Sequence, residues 1–337
     1  MEVISPKQDY KRLNPIQFSP MTTATRSKTR AKNSEEKKRT PEEKLVEELI
    51  ALMESGKEPW RKEWDCTNGG KQQNIISHHI YTGQNPALLS FYQIARGYPL
   101  PLWAGYKQAL RNGWKVRTGA NACYVCMPKK YTVEVENTFG EKVKESRIAG
   151  YTYRPIFNVK EMIGDNLNET IARHQGEAEQ PRPEPERMNN CEKLFAAYHR
   201  REELETQWFG ERACYCPSLD KVTMPERKKF HSAHALYSTW AHELAHSTGH
   251  SKRLNRPMLG RFGCDSYAKE ELVAELCAFL IADELQINSD VSNHASYLNT
   301  WIKCLRKDPS ILSTSLQAAN KAKDYILNPK KEKTNDN

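Results

Sequence analysis

The 337-residue sequence predicts an α+β fold divided into two domains. Three observations carry that expectation. Between Pro59 and Val159, short helical patterns mix with strand patterns. From 166 to 190 the chain turns polar, with Pro181, Pro183 and Pro185 among glutamates, the composition of a linker or long insertion. A helix near Cys191 to Arg201 then opens a second region whose most informative segments are helical. The expected boundaries are a basic arm at 1–40, a first domain at 41–165, a linker at 166–190, a second domain at 191–327 and a tail at 328–337.

The arm holds ten Lys or Arg against four Asp or Glu and few apolar residues, too few to fold alone. A helix should follow. Thr40 can cap it, Pro41 fits its first position, and Glu43 stands where a capping box needs a carboxylate. Leu45, Val46, Leu49, Ile50 and Leu52 mark its apolar face, and it should stop near Gly56. Tyr92–Ala95 and Tyr106–Leu110 also read as helical. Four strands are expected at Ala122–Met127, Tyr131–Val135, Arg147–Tyr153 and Arg154–Val159, with a hairpin turn at Asn137–Gly140.

Bulk properties narrow the function. The formal net charge of +9 favours partners rich in phosphate. The first residues lack the apolar core of a signal peptide, and no run is long enough to span a bilayer, so a soluble, cytoplasmic protein is expected. Nine scattered cysteines fit a reducing compartment. Cys123 and Cys126 form a CxxC pair and Cys214 and Cys216 a CxC pair. They lie about 90 residues apart with unlike spacing, so ordinary thiols are expected rather than a four-cysteine zinc site.

The strongest chemical signal is Trp240-Ala241-His242-Glu243-Leu244-Ala245-His246. Positions i and i+4 share one helix face, so His242 and His246 can present two imidazoles to one metal. Glu243 sits one step round, placed to take a proton from metal-activated water without being a ligand. Leu236, Trp240 and Leu244 repeat every fourth residue and can bury a face, and Gly249 fits the position after the helix. Two histidines on an amphipathic helix have a bland reading too, so a third ligand decides the matter. A metzincin would place a His where Lys252 stands. A gluzincin instead uses a Glu from a second helix, and Ala268–Leu285 supplies one. At roughly 100° per residue, Glu271, Ala274, Glu275, Ala278 and Ala282 share a side of an otherwise apolar helix. Two carboxylates buried there need a metal or hydrogen bonds. Glu271 is therefore the expected third ligand and Glu275 the acceptor for a ligand imidazole N–H. Glu270, about one residue-step round, is the alternative. Two His and one carboxylate leave a position for water, the arrangement of a catalytic zinc site with one ion per chain. His231, His234 and Tyr267 are candidates for stabilising the oxyanion.

The first region interleaves cations with aromatic rings, as nonspecific single-strand binding requires. Arg61, Lys62 and Trp64 form one such group, and Tyr106, Lys107, Arg111, Trp114, Lys115 and Arg117 another. Lys129, Lys130 and Tyr131 add a third. Trp60 and Trp103 read more readily as core anchors.

Several motifs in order give the sequence a resemblance to a known family. They are Pro59-Trp60, Tyr81-Thr82-Gly83-Gln84-Asn85, Trp103, Gly113, Val116-Arg117-Thr118-Gly119, Phe157-Asn158-Val159, the run Tyr215–Phe230, HELAHSTGH, Arg253-Leu254, Phe262-Gly263 and YAKEELVAEL. Together they resemble the plasmid-borne ArdC antirestriction proteins and the N-terminal region of plasmid TraC-type primases. Gln84 and the pair Cys123 and Cys126 depart from that pattern, standing where apolar residues are the rule. The resemblance implies an N-terminal domain that binds single-stranded DNA and a C-terminal zincin-like metallopeptidase domain. Its metal site falls on His242, His246 and Glu271, with Glu243 catalytic. It also implies protection of incoming DNA from restriction, with a host protein as a candidate substrate. The competing readings are a non-catalytic DNA-protecting protein with a structural zinc, and a replication or primase accessory protein.

Overall fold

The computed structural model describes residues 39–57, 59, 70–136, 141–177, 182–258, 265–289 and 295–328. Most of the basic arm, the turn at 137–140, and Trp60, Arg61, Lys62 and Trp64 lie outside the described residues.

Helix α1 (Pro41–Glu54) starts where local chemistry directs. Thr40 Oγ1 accepts the Glu43 N–H at 3.1 Å, and Glu43 Oε2 accepts the Thr40 N–H at 2.7 Å. Strand β1 (Gln73–Asn74) and helix α2 (Asn85–Arg96) follow. Gly97 ends α2 at φ 63°, a left-handed conformation open to glycine. Then come β2 (Leu102–Ala104), α3 (Tyr106–Arg111), β3 (Lys115–Val116), β4 (Cys123–Glu136), β5 (Lys142–Asn158) and β6 (Met162–Ile163). One sheet has the order β1-β2-β5-β4, with β1 and β2 parallel and the rest antiparallel; β3 pairs with β6.

The four expected strands between 122 and 159 are thus two long ones. Pro128 does not interrupt β4, because β4 is an edge strand and a missing N–H on its outer side costs no ladder bond. The two departures from the family pattern meet each other here. Gln84 Nε2 donates to Cys126 Sγ at 2.9 Å, and Asn85 bonds both backbone groups of Cys126. Cys123 is likewise engaged, by Arg96, whose guanidinium also grips Glu48 of α1 at 2.8 and 2.9 Å.

The expected linker is corrected by the structure: 166–190 holds α4 (Leu167–Glu177) and the start of α5 (Glu184–Glu202). Leu167 is buried beside Trp114, whose Nε1–H donates to Asn166 at 2.6 Å, so α4 is tied to the first region. Pro183 and Pro185 sit at the entry of α5, where a missing N–H costs nothing.

The remainder is a three-stranded sheet and four helices: β7 (Glu205–Trp208), β8 (Cys214–Cys216), β9 (Lys221–Met224), α6 (Ala233–Ser247), α7 (Asp265–Leu285), α8 (Ala295–Lys307) and α9 (Ser310–Leu327). The sheet order β7-β9-β8 leaves β8 on an edge. None of the described helices is long and apolar enough to cross a membrane.

The main apolar core ignores the boundary between the two sequence regions. Leu49 of α1, Leu89 and Phe91 of α2, and Val125 of β4 belong to the same buried cluster as Leu272, Phe279, Leu305 and Leu316. Phe91 and Phe279 rings stand 5.7 Å apart. A smaller cluster under α3 gathers Ile75, Leu102, Trp114, Met162 and Leu167. Burial shared across the regions predicts that they unfold together. Phe91→Ala should cost about 3–5 kcal/mol and lower the midpoint of one transition followed by both near-UV and far-UV circular dichroism. Two separated transitions, with only the first moved, would contradict the shared core.

Candidate metal centre

Helix α6 is buried along nearly its whole length, and the reasons are local. Ser232 caps it by accepting the Ala235 N–H at 3.0 Å. Trp240 is enclosed by Phe195 at 5.3 Å and Trp208 at 5.1 Å, and its indole N–H meets His199. Buried alanines lie on both helices: Ala241 and Ala245 on α6, Ala274 and Ala278 on α7. Such small side chains let the two helices approach closely enough to share a site.

At that approach His242, His246 and Glu271 converge, the one group of metal-ligating type found among the described residues. The two Nε2 atoms are 3.1 Å apart; Glu271 Oε2 lies 3.5 Å from His242 Nε2, and Glu271 Oε1 lies 3.7 Å from His246 Nε2. A tetrahedral ion at about 2.0–2.1 Å from its donors sets them about 3.3–3.4 Å apart. The two Glu271 separations belong to different oxygens; with one ligand atom taken from each residue, all three lie within 4.8 Å of one another, close enough to converge on one divalent cation. The cysteine pairs do not enter it: Cys123 and Cys126 lie on β4, Cys214 and Cys216 on β8.

The outer nitrogens of both imidazoles face carboxylates. His242 Nδ1 is 3.3 Å from Glu275, and His246 Nδ1 is 3.3 Å from Glu270. Glu270 is in turn held by Arg256 at 2.6 and 3.0 Å. The carboxylate weighed as an alternative ligand therefore orients His246 from behind, while Glu271 meets both Nε2 atoms. Tyr267, one turn before Glu271, bonds its carboxylate, and Tyr297 of α8 lies 3.4 Å from the Tyr267 hydroxyl. Sequence reasoning missed Tyr297 and Arg256, which lie on a different helix and a loop.

Electrostatics follow from burial among opposite charges. Burial pushes His242 and His246 toward the neutral form, but the facing carboxylates more than offset it, raising His246 to about 9 and His242 well above its ordinary value. Burial raises Glu271, yet hydrogen bonds from the two imidazoles hold it below the usual carboxylate range. Glu243 differs. Burial dominates and moves it up, although both histidines and the Tyr215 backbone N–H pull the other way. Edge strand β8 therefore runs beside Glu243.

An ion-pair network fixes that strand to the histidine helix. Arg253, whose side chain is 1% exposed, reaches Asp220 at 2.7 and 3.0 Å, Glu202 at 3.1 Å and the Ser247 carbonyl at 2.9 Å. Asp220 also accepts the Tyr215 hydroxyl at 2.7 Å. Gly249 follows the helix but is not left-handed. A Cβ there would come within 2.7 Å of Met258 Sδ, a flexible side-chain end that would have to give way, and within 3.1 Å of the His246 carbonyl.

Of the other expected site residues, Tyr106, Lys107, Arg111, Lys115 and Arg117 are exposed. Lys107 and Arg111 stand one turn apart on α3. Trp114 is a correction: at 2% exposed it anchors the smaller core and offers no ring face to a base. His234 is about 12 Å along the helix from His242 and accepts the Asn288 N–H, so it stands apart from the site. His231 is exposed one residue before the Ser232 cap.

If Glu270 orients His246, Glu270→Gln should weaken zinc affinity about 10–100-fold with the circular dichroism spectrum unchanged. Titration against a competing chelator measures it; unaltered affinity would remove Glu270 from the site.

The comparisons with known proteins agree with this arrangement. Residues 39–159 match the N-terminal domain of anti-restriction factor ArdC, and residues 190–321 match a zincin-like metallopeptidase domain. A DNA primase TraC of Escherichia coli is 32% identical over 87% of this chain, which spans only 20% of that primase. Two crystal structures of the antirestriction ArdC protein from plasmid R388 are similar, both with a TM-score of 0.60. The metal-free one is 28% identical, covering 85% of this chain and 96% of that one; the Mn(II)-bound one is 26% identical, covering 86% and 97%. Matched domains, shared fold and a His-His-Glu cluster converge on one assignment: the chain is ArdC-like, an ArdC N-terminal domain ahead of a zincin-like metallopeptidase domain.

Proposed function

We propose that the protein is a zinc-dependent peptidase coupled to single-stranded DNA binding, and that it serves antirestriction for a mobile element. The observation that carries the reading is the convergence of His242, His246 and Glu271 on one point with Glu243 buried beside it. Zinc bound there would polarise a scissile carbonyl and acidify a water molecule. The chain's own groups do the rest. His242 and His246 are steered by Glu275 and Glu270, so their Nε2 lone pairs stay aimed inward. Glu243, held by the Tyr215 N–H and raised by burial, suits a carboxylate that takes a proton from attacking water and returns it to the leaving amine.

For DNA, the supporting surface is the exposed set Tyr106, Lys107, Arg111, Lys115 and Arg117, cations with one aromatic face. That surface implies salt-sensitive, sequence-tolerant binding. The likeness to the R388 antirestriction protein supports the biological role, and the shared core supports coupling between the DNA and metal regions.

Two outcomes test this. Glu243→Ala should retain zinc and DNA affinity while cleavage of a casein substrate falls by at least about 100-fold. If the variant still shields incoming DNA at full strength, protection works by occupancy with zinc only structural. Lys107→Ala with Arg111→Ala should weaken single-stranded DNA binding and reduce its salt slope by about 1.4; an unchanged slope would move the DNA surface elsewhere.

A further inference from the structure

The β4–β5 ribbon leaves the body of the protein at Pro128. From there to Glu136, and from Lys142 to Gly150, its residues are exposed or half-buried on both faces. β4 is the outermost strand, and Asn85 reveals which way its free edge faces. Asn85 Oδ1 accepts the Cys126 N–H at 2.7 Å and Nδ2 donates to the Cys126 carbonyl at 2.9 Å. The backbone groups of Cys126 therefore point away from β5. Period-two geometry sends those of Pro128, Lys130, Thr132, Glu134 and Glu136 the same way. The bulge near Lys129 leaves this intact, because the extra residue, Ala149, lies on β5. Pro128 has no N–H to offer, so the open edge runs from Lys130 to Glu136.

That edge complements itself. Antiparallel pairing requires outward-facing residues to meet outward-facing ones. A two-fold axis at Val133 sets Lys130 opposite Glu136 and Thr132 opposite Glu134 in the hydrogen-bonded pairs. In the closer non-hydrogen-bonded pairs it sets Tyr131 opposite Val135 and Val133 opposite its own copy. All three apolar residues of one face then meet apolar partners, and Lys130 meets a glutamate in both copies. Moving the axis to Glu134 would oppose two glutamates; moving it to Thr132 would oppose Val135 to Lys129. We propose that two copies of this chain associate through their β4 edges about a two-fold axis at Val133, joining the ribbons into one four-stranded sheet.

Physical sense supports the pairing. A lone two-stranded ribbon is marginal in water, and a second pair of strands adds both ladder bonds and a wider apolar face. Glu134, Glu136 and Glu145 interspersed with the cations suit self-pairing better than a phosphate backbone. The contact is small, so the dimer is weak, with dissociation on the micromolar scale or above.

Sedimentation velocity on the full chain from low to high micromolar concentration should show reversible dimerisation. Lys130→Glu and Glu136→Lys should each raise the dissociation constant about tenfold, and the double exchange should return it to within about threefold of the original. With oxidised glutathione, Val133→Cys should cross-link into dimers well beyond both the wild type and Thr132→Cys, since only position 133 faces its own copy. A monomer at every concentration, single reversals without effect, or equal cross-linking at 132 and 133 would each overturn the proposal. So would a monomer whose single-stranded DNA binding falls in the ribbon variants, which would make the ribbon a DNA arm.

Discussion

Everything around the metal centre follows from one constraint: several ionisable side chains are buried between α6 and α7, where unpaired charge is expensive. His242, Glu243, Glu271 and Glu275 are each at most 7% exposed. They are tolerable only because every imidazole nitrogen faces a carboxylate and each ligand carboxylate is bonded in turn. The alanine-lined helix contact, the Arg256 clamp on Glu270 and the Arg253 network are what that constraint demands of the surroundings. A group so arranged is poised to exchange protons for a divalent ion, and deprotonation of the histidines accompanies metal entry.

The same constraint divides labour among four glutamates that composition treats alike. Glu271 faces both Nε2 atoms, Glu275 and Glu270 face the outer nitrogens, and Glu243 faces none of them as a ligand. Glu243 is moved upward, because it is buried without the direct imidazole hydrogen bonds that lower Glu270 and Glu271. Position, more than residue type, separates the carboxylate that meets both Nε2 atoms from the two behind the rings and from the one that meets neither ring nitrogen.

Much of this was legible in the sequence because helices carry their geometry in their spacing. His242 and His246 share a face at i and i+4, and the carboxylates of Ala268–Leu285 stand out against an apolar, alanine-bearing helix. The capping box at Thr40 is equally local. What stayed hidden depends on contacts between distant segments. Arg256 reaches Glu270 from a loop, Tyr215 reaches Glu243 from a sheet edge, and Tyr297 arrives from another helix. Trp114 looked like a stacking platform because it sits in a basic run, yet its indole is the anchor on which α4 folds. The prolines at 183 and 185 looked like a linker because proline reads alike at a helix entry and in an extended chain. Gln84 and Cys126, separate departures from the family pattern, make sense only as a pair.

The most direct test of the central claim is X-ray absorption at the zinc edge on protein loaded with one equivalent of zinc. Two imidazole nitrogens and a carboxylate oxygen at about 2.0–2.2 Å, with no sulfur, would match the convergence of His242, His246 and Glu271. Sulfur scattering at about 2.3 Å would place the ion on the cysteines and contradict it.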